Sequence, residues 1–453
     1  MAEPKSQYFQ FATDPKREPV LVDYVRTPIG KKNGKIVRMR GDDLTIHSVN
    51  ALIDRNSWLR DNVKLVGDCI VGCNSQIGTC AIDVGRTTAL GSKLDWVTPG
   101  VSLNRQCASG MQAVHFAWME IATGEKDCVM AGGVEMQNAY PIGADMTVPV
   151  ETGGVTTIPP NRKLNYNKSV MASAKKYGSD MFPNEESVAR LSTLSGQIGS
   201  AELMGHVWKA PREVLDEISY NSHMKANKPE AWKCRGKEIA PIEVPKLDET
   251  GKPILDENGG LVRGQTEIAD KDEGVRPTTT LEKLADLKPI VLRKSGLLTA
   301  GNSCPTSDGG NMSVWMSRGL AEELGVKIRA TLVGCVAVGT DPILMLTGPI
   351  DATKATMKRC ETSLDDMDYI EMNEAFSTVV YACCKELGLD YKDPRLNQWG
   401  GAIAIGHPTG VTGTRLLGTL TNQLETFGKS YGFGTLCVGL GMGIGGIMKR
   451  EGA

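Results

Sequence analysis

The chain of 453 residues is short of several things that would define a function at once. Aromatic residues make up only 5% of it, so its core must come from Val, Ile, Leu, Ala and Met. Histidines number five, which leaves few imidazoles for acid–base work. Excess charge is missing too. The 51 basic and 53 acidic residues leave a net charge of −2, which argues against a dedicated nucleic-acid surface but allows a local basic patch for a phosphorylated ligand. No run of about 18 apolar residues occurs, so no transmembrane helix is expected. The twelve cysteines form no Cys-x-x-Cys pair and no zinc-type Cys/His spacing, so no metal site is expected. The tightest group, Cys69, Cys73 and Cys80, reads as small buried hydrophobes. Scattered thiols fit a reducing compartment, and the N-terminal segment has no apolar secretory core. The C-terminal KREGA is not a peroxisomal address, so a cytoplasmic location is the expectation.

What is present is an ordinary globular composition, 41% hydrophobic and 23% charged, with 51 glycines. The length calls for two or three domains or a duplicated one. Residues 1–18 read as a loose leader. PVLVDYVRTPIG, LVGDCIVG and DCVMAGG read as strands, the last ended by its two glycines. Residues 42–60 and about 108–122 read as helices. Alternating strands and helices predict a layered α/β fold. Residues 138–275, rich in turn-forming and polar residues, read as an inserted subdomain. The first half is then 19–137 with 276–325, and the second half is 326–453. LLTAGNSCPTSDGGNMSVWMSRG is expected to enter a helix. NRQCASGMQAVHFAWMEIATG and AIGHPTGVTGTRLLGTLTNQL share one pattern, a reactive residue where a small-residue turn opens a helix, and this predicts an internal duplication.

Cys107 sits at such a turn, where helix N–H groups and the helix dipole would favour a thiolate nucleophile. His407, in GHPTG, is the only histidine in a glycine-flanked turn, suited to a base or oxyanion donor but equally to a backbone-bonded turn residue. Asn373 and Glu374 follow a strand, where Asn373 could instead cap a helix. Cys437 precedes a glycine-rich hairpin and could be a second acid–base group or a buried strand thiol. The Gly441, Gly443, Gly446 match to a dinucleotide fingerprint is rejected, because no helix or distant acid can follow so near the C-terminus.

Taken in order, NRQCASG, EMNEAF, GGAIAIGHPTG and CVGLGMG resemble the motifs of the thiolase family, and RTPIG, AGGVEM and TAGNSCPTSDGG resemble further family segments. The resemblance covers about residues 20–449. It implies a duplicated βαβαβαββ core in five layers with an inserted loop domain. It implies a homodimer or homotetramer that cleaves 3-oxoacyl-CoA with CoA, or runs the reverse condensation, through an acyl-cysteine. No cofactor is implied beyond coenzyme A as substrate. By motif match, Cys107 is the acylated nucleophile and His407 takes its proton. Cys437 is the acid–base group. Asn373 with His407, and the N–H groups of Cys107 and Gly439, form two oxyanion holes. Glu374 supports the first of them. Arg276, Lys283 and Cys304 are implied in binding CoA. Leu440 interrupts the family's usual glycine run, and Cys304 replaces a usual Ser. Acyl-CoA and CoA are the implied partners, with a β-oxidation complex as a further one. The alternatives are a ketosynthase-like condensing enzyme and a non-catalytic partner of the same fold.

Overall fold

In a computed structural model, residues 14–150, 154–157 and 196–453 are described. Residues 1–13 of the expected leader, and 151–153 and 158–195 of the expected insert, lie outside them. Ten strands make one continuous sheet: β1 Pro19–Arg26, β2 Gly30–Lys31, β3 Asp68–Gly72, β4 Val101–Leu103, β5 Cys128–Met136, β6 Ser307–Ser317, β7 Ala330–Gly339, β8 Tyr369–Met372, β9 Tyr431–Val438 and β10 Met442–Arg450. The order is β8-β9-β10-β7-β1-β6-β5-β3-β4, with β2 paired to β6.

This order repeats itself. In the first half β1, β6 and β5 are antiparallel neighbours, and β3 then runs parallel to β5. In the second half β7, β10 and β9 are antiparallel neighbours, and β8 runs parallel to β9. The short parallel edge strand β4 has its counterpart in a single parallel bridge between Ile370 and Leu396. The halves join where β1 meets β7, with Val20 opposite Thr331 and Leu21 opposite Ala330. The duplication inferred from two helix-opening turns therefore extends to the strand topology.

Strand residues alternate between separate cores, as a pleated sheet buried on both faces must. Val20, Val22, Cys69, Val71, Cys128 and Met130 pack outward with Leu44, Val49, Leu52 and Ile53 of helix α1 (Gly41–Arg55). Cys73 and Cys80 belong to this same outer core, matching their reading as small hydrophobes. Leu21, Ile70, Val129 and Ala131 point the other way, into a central core. That core is filled by helix α2 (Ser109–Thr123), through Met111, Val114 and Ile121, and by helix α5 (Thr409–Phe427), through Leu416, Leu420 and Leu424. Leu436, Val438 and Ile444 close it from the second half. Phe433, Cys437 and Ile447 face a third core with helices α3 (Gly348–Arg359) and α4 (Ser377–Leu387). Two homologous helices thus lie back to back in the middle, with a half-sheet and an outer helix layer on each side.

One sequence expectation is corrected and two gain detail. DCVMAGG does not end at its glycines: β5 runs through them to Met136. A side chain at Gly132 would run into the Asn311 carbonyl, and one at Gly133 into the Gly410 carbonyl, so these glycines serve close approach within the sheet. LLTAGNSCPTSDGGNMSVWMSRG does enter a helix, at Arg318–Glu323, but by way of β6, a fully buried central strand. The glycines after Cys437 do lie in a hairpin, with β9 returning antiparallel as β10 and Val438 opposite Met442. The turn is confined to Gly439–Gly441, while Gly443 and Gly446 lie in β10, where Gly443 admits the backbone of Gly348 at the start of α3.

Between β5 and β6 the chain leaves the core as helices Gln197–Val207, Arg212–Ala226 and Pro229–Glu238 and a ribbon of Ile242–Pro245 with Thr266–Ala269. A buried ion network ties this segment to β1. The Arg26 guanidinium donates to Asp272 at 2.6 and 2.9 Å and to Glu238 at 2.9 Å. Removing one member would leave an uncompensated buried charge, so the network fixes where the excursion sits.

Candidate active site

Cys107 stands two residues before α2, on a turn fastened by side chains. Ser109 Oγ receives the Arg105 N–H at 2.9 Å and donates to the Gln106 carbonyl at 2.7 Å. Asn104 Oδ1 receives the Gln106 N–H at 2.7 Å. Gln106 itself adopts a left-handed φ of 48°, a conformation that costs on the order of 1–2 kcal/mol for a residue with a side chain and that aims the following residue. The Cys107 thiol is buried and receives the Gly439 backbone N–H and, at 3.8 Å, the Gln197 side-chain amide. Burial pushes its pKa up to about 12 despite these donors. Here the expectation of a helix-stabilised thiolate is reversed, because dehydration outweighs the dipole. Cys437, at the end of β9, and Cys304 are charge neighbours of Cys107, and burial raises both. At neutral pH all three are therefore thiols, and a thiolate must be generated during reaction.

His407 and Asn373 are brought together from separate loops, with Asn373 Nδ2 at 3.3 Å from His407 Nε2. Helix capping by Asn373 is ruled out, since α4 begins only after Phe376. The tautomer of His407 follows from its neighbours. Thr412 Oγ1 gives its hydrogen to the Pro408 carbonyl at 3.0 Å, so it accepts from His407 Nδ1 at 2.7 Å. Nε2 is then the basic nitrogen, facing the Asn373 amide donor. Burial, with the Arg415 charge adding to it, lowers the imidazole pKa to about 3, so the ring is neutral and can accept a proton. The buried Asn373 Oδ1 has no partner, which leaves it an acceptor for a water or substrate group. Glu374 turns away. It receives Ser222 Oγ at 2.6 Å, Asn397 Nδ2 at 2.9 Å and the Ile403 N–H at 3.2 Å, holding the segment that leads to His407.

Arg276 and Lys283 do not touch this cluster. They line a cleft of about 320 Å³ with Thr278, Thr279, Ser303, Pro305 and Ile403. Ser303 and Pro305 flank Cys304, so the cleft leads from two cationic side chains toward the thiols. The other histidines stay apart: His206 pairs with Glu202 at 2.9 Å, and His223 accepts the Arg276 N–H at 3.2 Å. Gln197 and Thr412 went unnoticed in the sequence. Gln197 opens a helix after a featureless polar stretch and carried no signal. Thr412 lies on the first turn of the helix after His407, so its position alone could have been read.

Comparison with known proteins agrees with this geometry. The thiolase N-terminal domain matches residues 19–319 and the thiolase C-terminal domain residues 326–450. A 3-ketoacyl-CoA thiolase of Aliivibrio fischeri is 35% identical over 433 residues, 95% of this chain and 99% of the relative. A beta-ketoadipyl-CoA thiolase of Acinetobacter baylyi is 34% identical over 439 residues, 95% of this chain and 98% of the relative. The structure of human mitochondrial 3-ketoacyl-CoA thiolase superposes with a TM-score of 0.77 at 28% identity, covering 97% of this chain and 100% of that one. The Bacillus anthracis acetyl-CoA acetyltransferase also gives 0.77 at 28% identity, covering 96% and 98%. The chain belongs to the thiolase family. It is an acyltransferase of the thiolase type, with the duplicated fold of that class. Among the described residues no helix is long and apolar enough to cross a membrane.

Proposed function

We propose that the chain catalyses CoA-dependent cleavage of 3-oxoacyl-CoA to acetyl-CoA and a shortened acyl-CoA, or the reverse condensation, with Cys107 as the acylated residue. The observation that carries this is a thiol receiving the Gly439 N–H with a second thiol beside it, together with a neutral imidazole paired with an amide, just before a helix whose first turn packs at Gly410 against Gly110 of α2.

The Cys107 sulfur attacks the 3-oxo carbon, and its proton passes to His407 Nε2. The bond between the second and third carbons breaks, its electron pair leaves as the acetyl-CoA enolate, and that carbanion takes the Cys437 proton. CoA then gives its thiol proton to Cys437 and attacks the acyl-Cys107 thioester, and the departing Cys107 sulfur recovers its proton from His407. Atoms and charges balance without a metal or redox cofactor. Splitting the reaction through a thioester makes each step accessible. The donors at Asn373 and His407 serve one developing oxyanion, and the N–H groups of Cys107 and Gly439 the other. Arg276 and Lys283 suit the phosphorylated adenosine end of CoA, with Cys304 beside the pantetheine arm. We further assign a cytoplasmic enzyme acting as a homodimer or homotetramer, alone or within a β-oxidation complex.

The test is CoA-dependent cleavage across short, medium and long 3-oxoacyl-CoA substrates, with Cys107→Ala as control. Cleavage that vanishes in the variant supports the reading. Cleavage that persists refutes it.

A further inference from the structure

Two polar residues stand at the end of β5, Glu135 within the strand and Gln137 just past it. Glu135 is completely buried, and its carboxylate receives four donors. Two are the Asn74 and Ser75 N–H groups, both at 3.0 Å, from the turn after β3. The other two are Thr409 Oγ1 at 2.6 Å and the Gly410 N–H at 3.0 Å, from the first turn of α5. Gln137 donates to the His407 carbonyl at 3.0 Å and receives the Ser307 N–H at 3.0 Å, while Ser307 Oγ receives the His407 N–H at 3.3 Å. On the other side, the Asn74 carbonyl receives Asn104 Nδ2 at 2.8 Å, and Asn104 holds the Gln106 N–H beside Cys107. An unbroken chain of hydrogen bonds therefore runs from the nucleophile's turn, through Glu135, to the imidazole's loop.

We propose that Glu135 is a positioning residue that locks the Cys107 turn of the first half to the His407 loop of the second, setting the register of the two reacting groups. The proposal rests on the reading of Cys107 and His407 as the reacting groups. All four partners of Glu135 are donors, so the site requires an acceptor on every side, which only a carboxylate supplies. The N-terminus of α5 favours its negative charge. Burial holds the carboxyl above the usual carboxylate range, with its four donors opposing the shift and favouring the ionised form. The same charge disfavours ionisation of Cys107, which shares its site with the thiols of Cys304 and Cys437 and with the proton acceptor His407.

Two variants test this. Glu135→Gln can keep an oxygen toward Asn74, Thr409 and Gly410 but removes the charge. Thr409→Val removes one donor and leaves the charge. Each is assayed for kcat, for KM toward CoA, and for the pH dependence of iodoacetamide labelling at Cys107. For Glu135→Gln we expect kcat to fall ~10- to 100-fold through misplacement of the reacting groups. Its KM for CoA should stay within ~2-fold, because uniform binding in the Arg276 cleft is untouched. Its labelling profile should move to lower pH. For Thr409→Val we expect a smaller fall in kcat with the wild-type labelling profile. Wild-type kcat in Glu135→Gln overturns the proposal, as does lowered thermal stability with an unmoved labelling profile. Should Glu135→Gln fail to fold, wild-type kcat in Thr409→Val overturns it alone. Persistent activity in Cys107→Ala would instead sink the site reading, which keeps the two failures apart.

Discussion

The two halves use one device for two purposes. Each sends a tight turn into a helix of the central layer, and each turn carries a reactive side chain, Cys107 before α2 and His407 before α5. The turns reach their shape differently. The first relies on a left-handed Gln106 pinned by Asn104 and Ser109, the second on Gly406 at φ 116° followed by Pro408. The strands that follow diverge as well. In the first half β5 continues past its glycines to the anchoring Glu135, with Gln137 just beyond its end. In the second, β9 stops at Val438, leaving Cys437 and the Gly439 N–H at a turn facing the nucleophile. Duplication supplied two equivalent positions. On the proposed reading, the first half supplies the nucleophile, its N–H and their support, and the second supplies the acid–base groups and the remaining oxyanion donors.

Several changes would break or sharpen this contrast. The largest effect belongs to Cys107→Ala, which should lower kcat by ~10⁴-fold or more, as removal of a nucleophile acting within a unit does. Asn373→Ala should come next, with kcat down by ~10²–10³ at nearly unchanged KM for CoA, the loss typical of one oxyanion donor. Steady-state kinetics of both variants check these values. Gly133→Ala should cost about 1–3 kcal/mol in urea unfolding, since its methyl would press on the Gly410 carbonyl and overpack the contact between the halves.

Acid should weaken the fold through its neutral histidines. His407 is held to about 3, and His115 and His223 to about 4, all mainly by burial. Below the unfolded value of about 6.5 the unfolded chain takes up protons that the native state refuses, so stability falls as pH drops from about 6.5 toward 4. Urea midpoints at pH 7 and pH 5 measure this, and His115→Asn should flatten the difference. The smallest effect is expected of Leu440→Gly. Leu440 is 54% exposed at φ 66°, so glycine should relieve about 1 kcal/mol of strain, partly offset by its unfolded-state freedom. A thermal midpoint equal to or slightly above the wild type would bear this out.

The residues proposed to react could be singled out in the sequence because each stands in a small-residue turn at an element end, within four segments that occur in order. Residues acting across the duplication were not. Glu135 reads as one acid within an apolar strand, and nothing local shows that its four donors come from residues 74–75 and 409–410. Gln197 and Thr412 were hidden for the same reason, since their meaning lies in what faces them. The misread glycines of β5 teach a related point. Glycine marks a tight turn or a close approach, and sequence alone does not separate Gly441, with φ 76°, from Gly133, which merely lacks room for a methyl. The direction of the Cys107 shift was missed because burial cannot be weighed against a helix dipole before the fold is known.

The central claim, a nucleophile from one half and an acid–base thiol from the other, is tested most directly by acyl transfer in Cys437→Ser. The variant is mixed with acyl-CoA alone, quenched, and its peptides are read by mass spectrometry. The account predicts an acyl group on Cys107, together with loss of carbon–carbon cleavage, because without Cys437 the departing CoA sulfur can still take the proton that His407 received from Cys107, whereas the carbanion has lost its acid. An unlabelled Cys107, or full cleavage without Cys437, would contradict it.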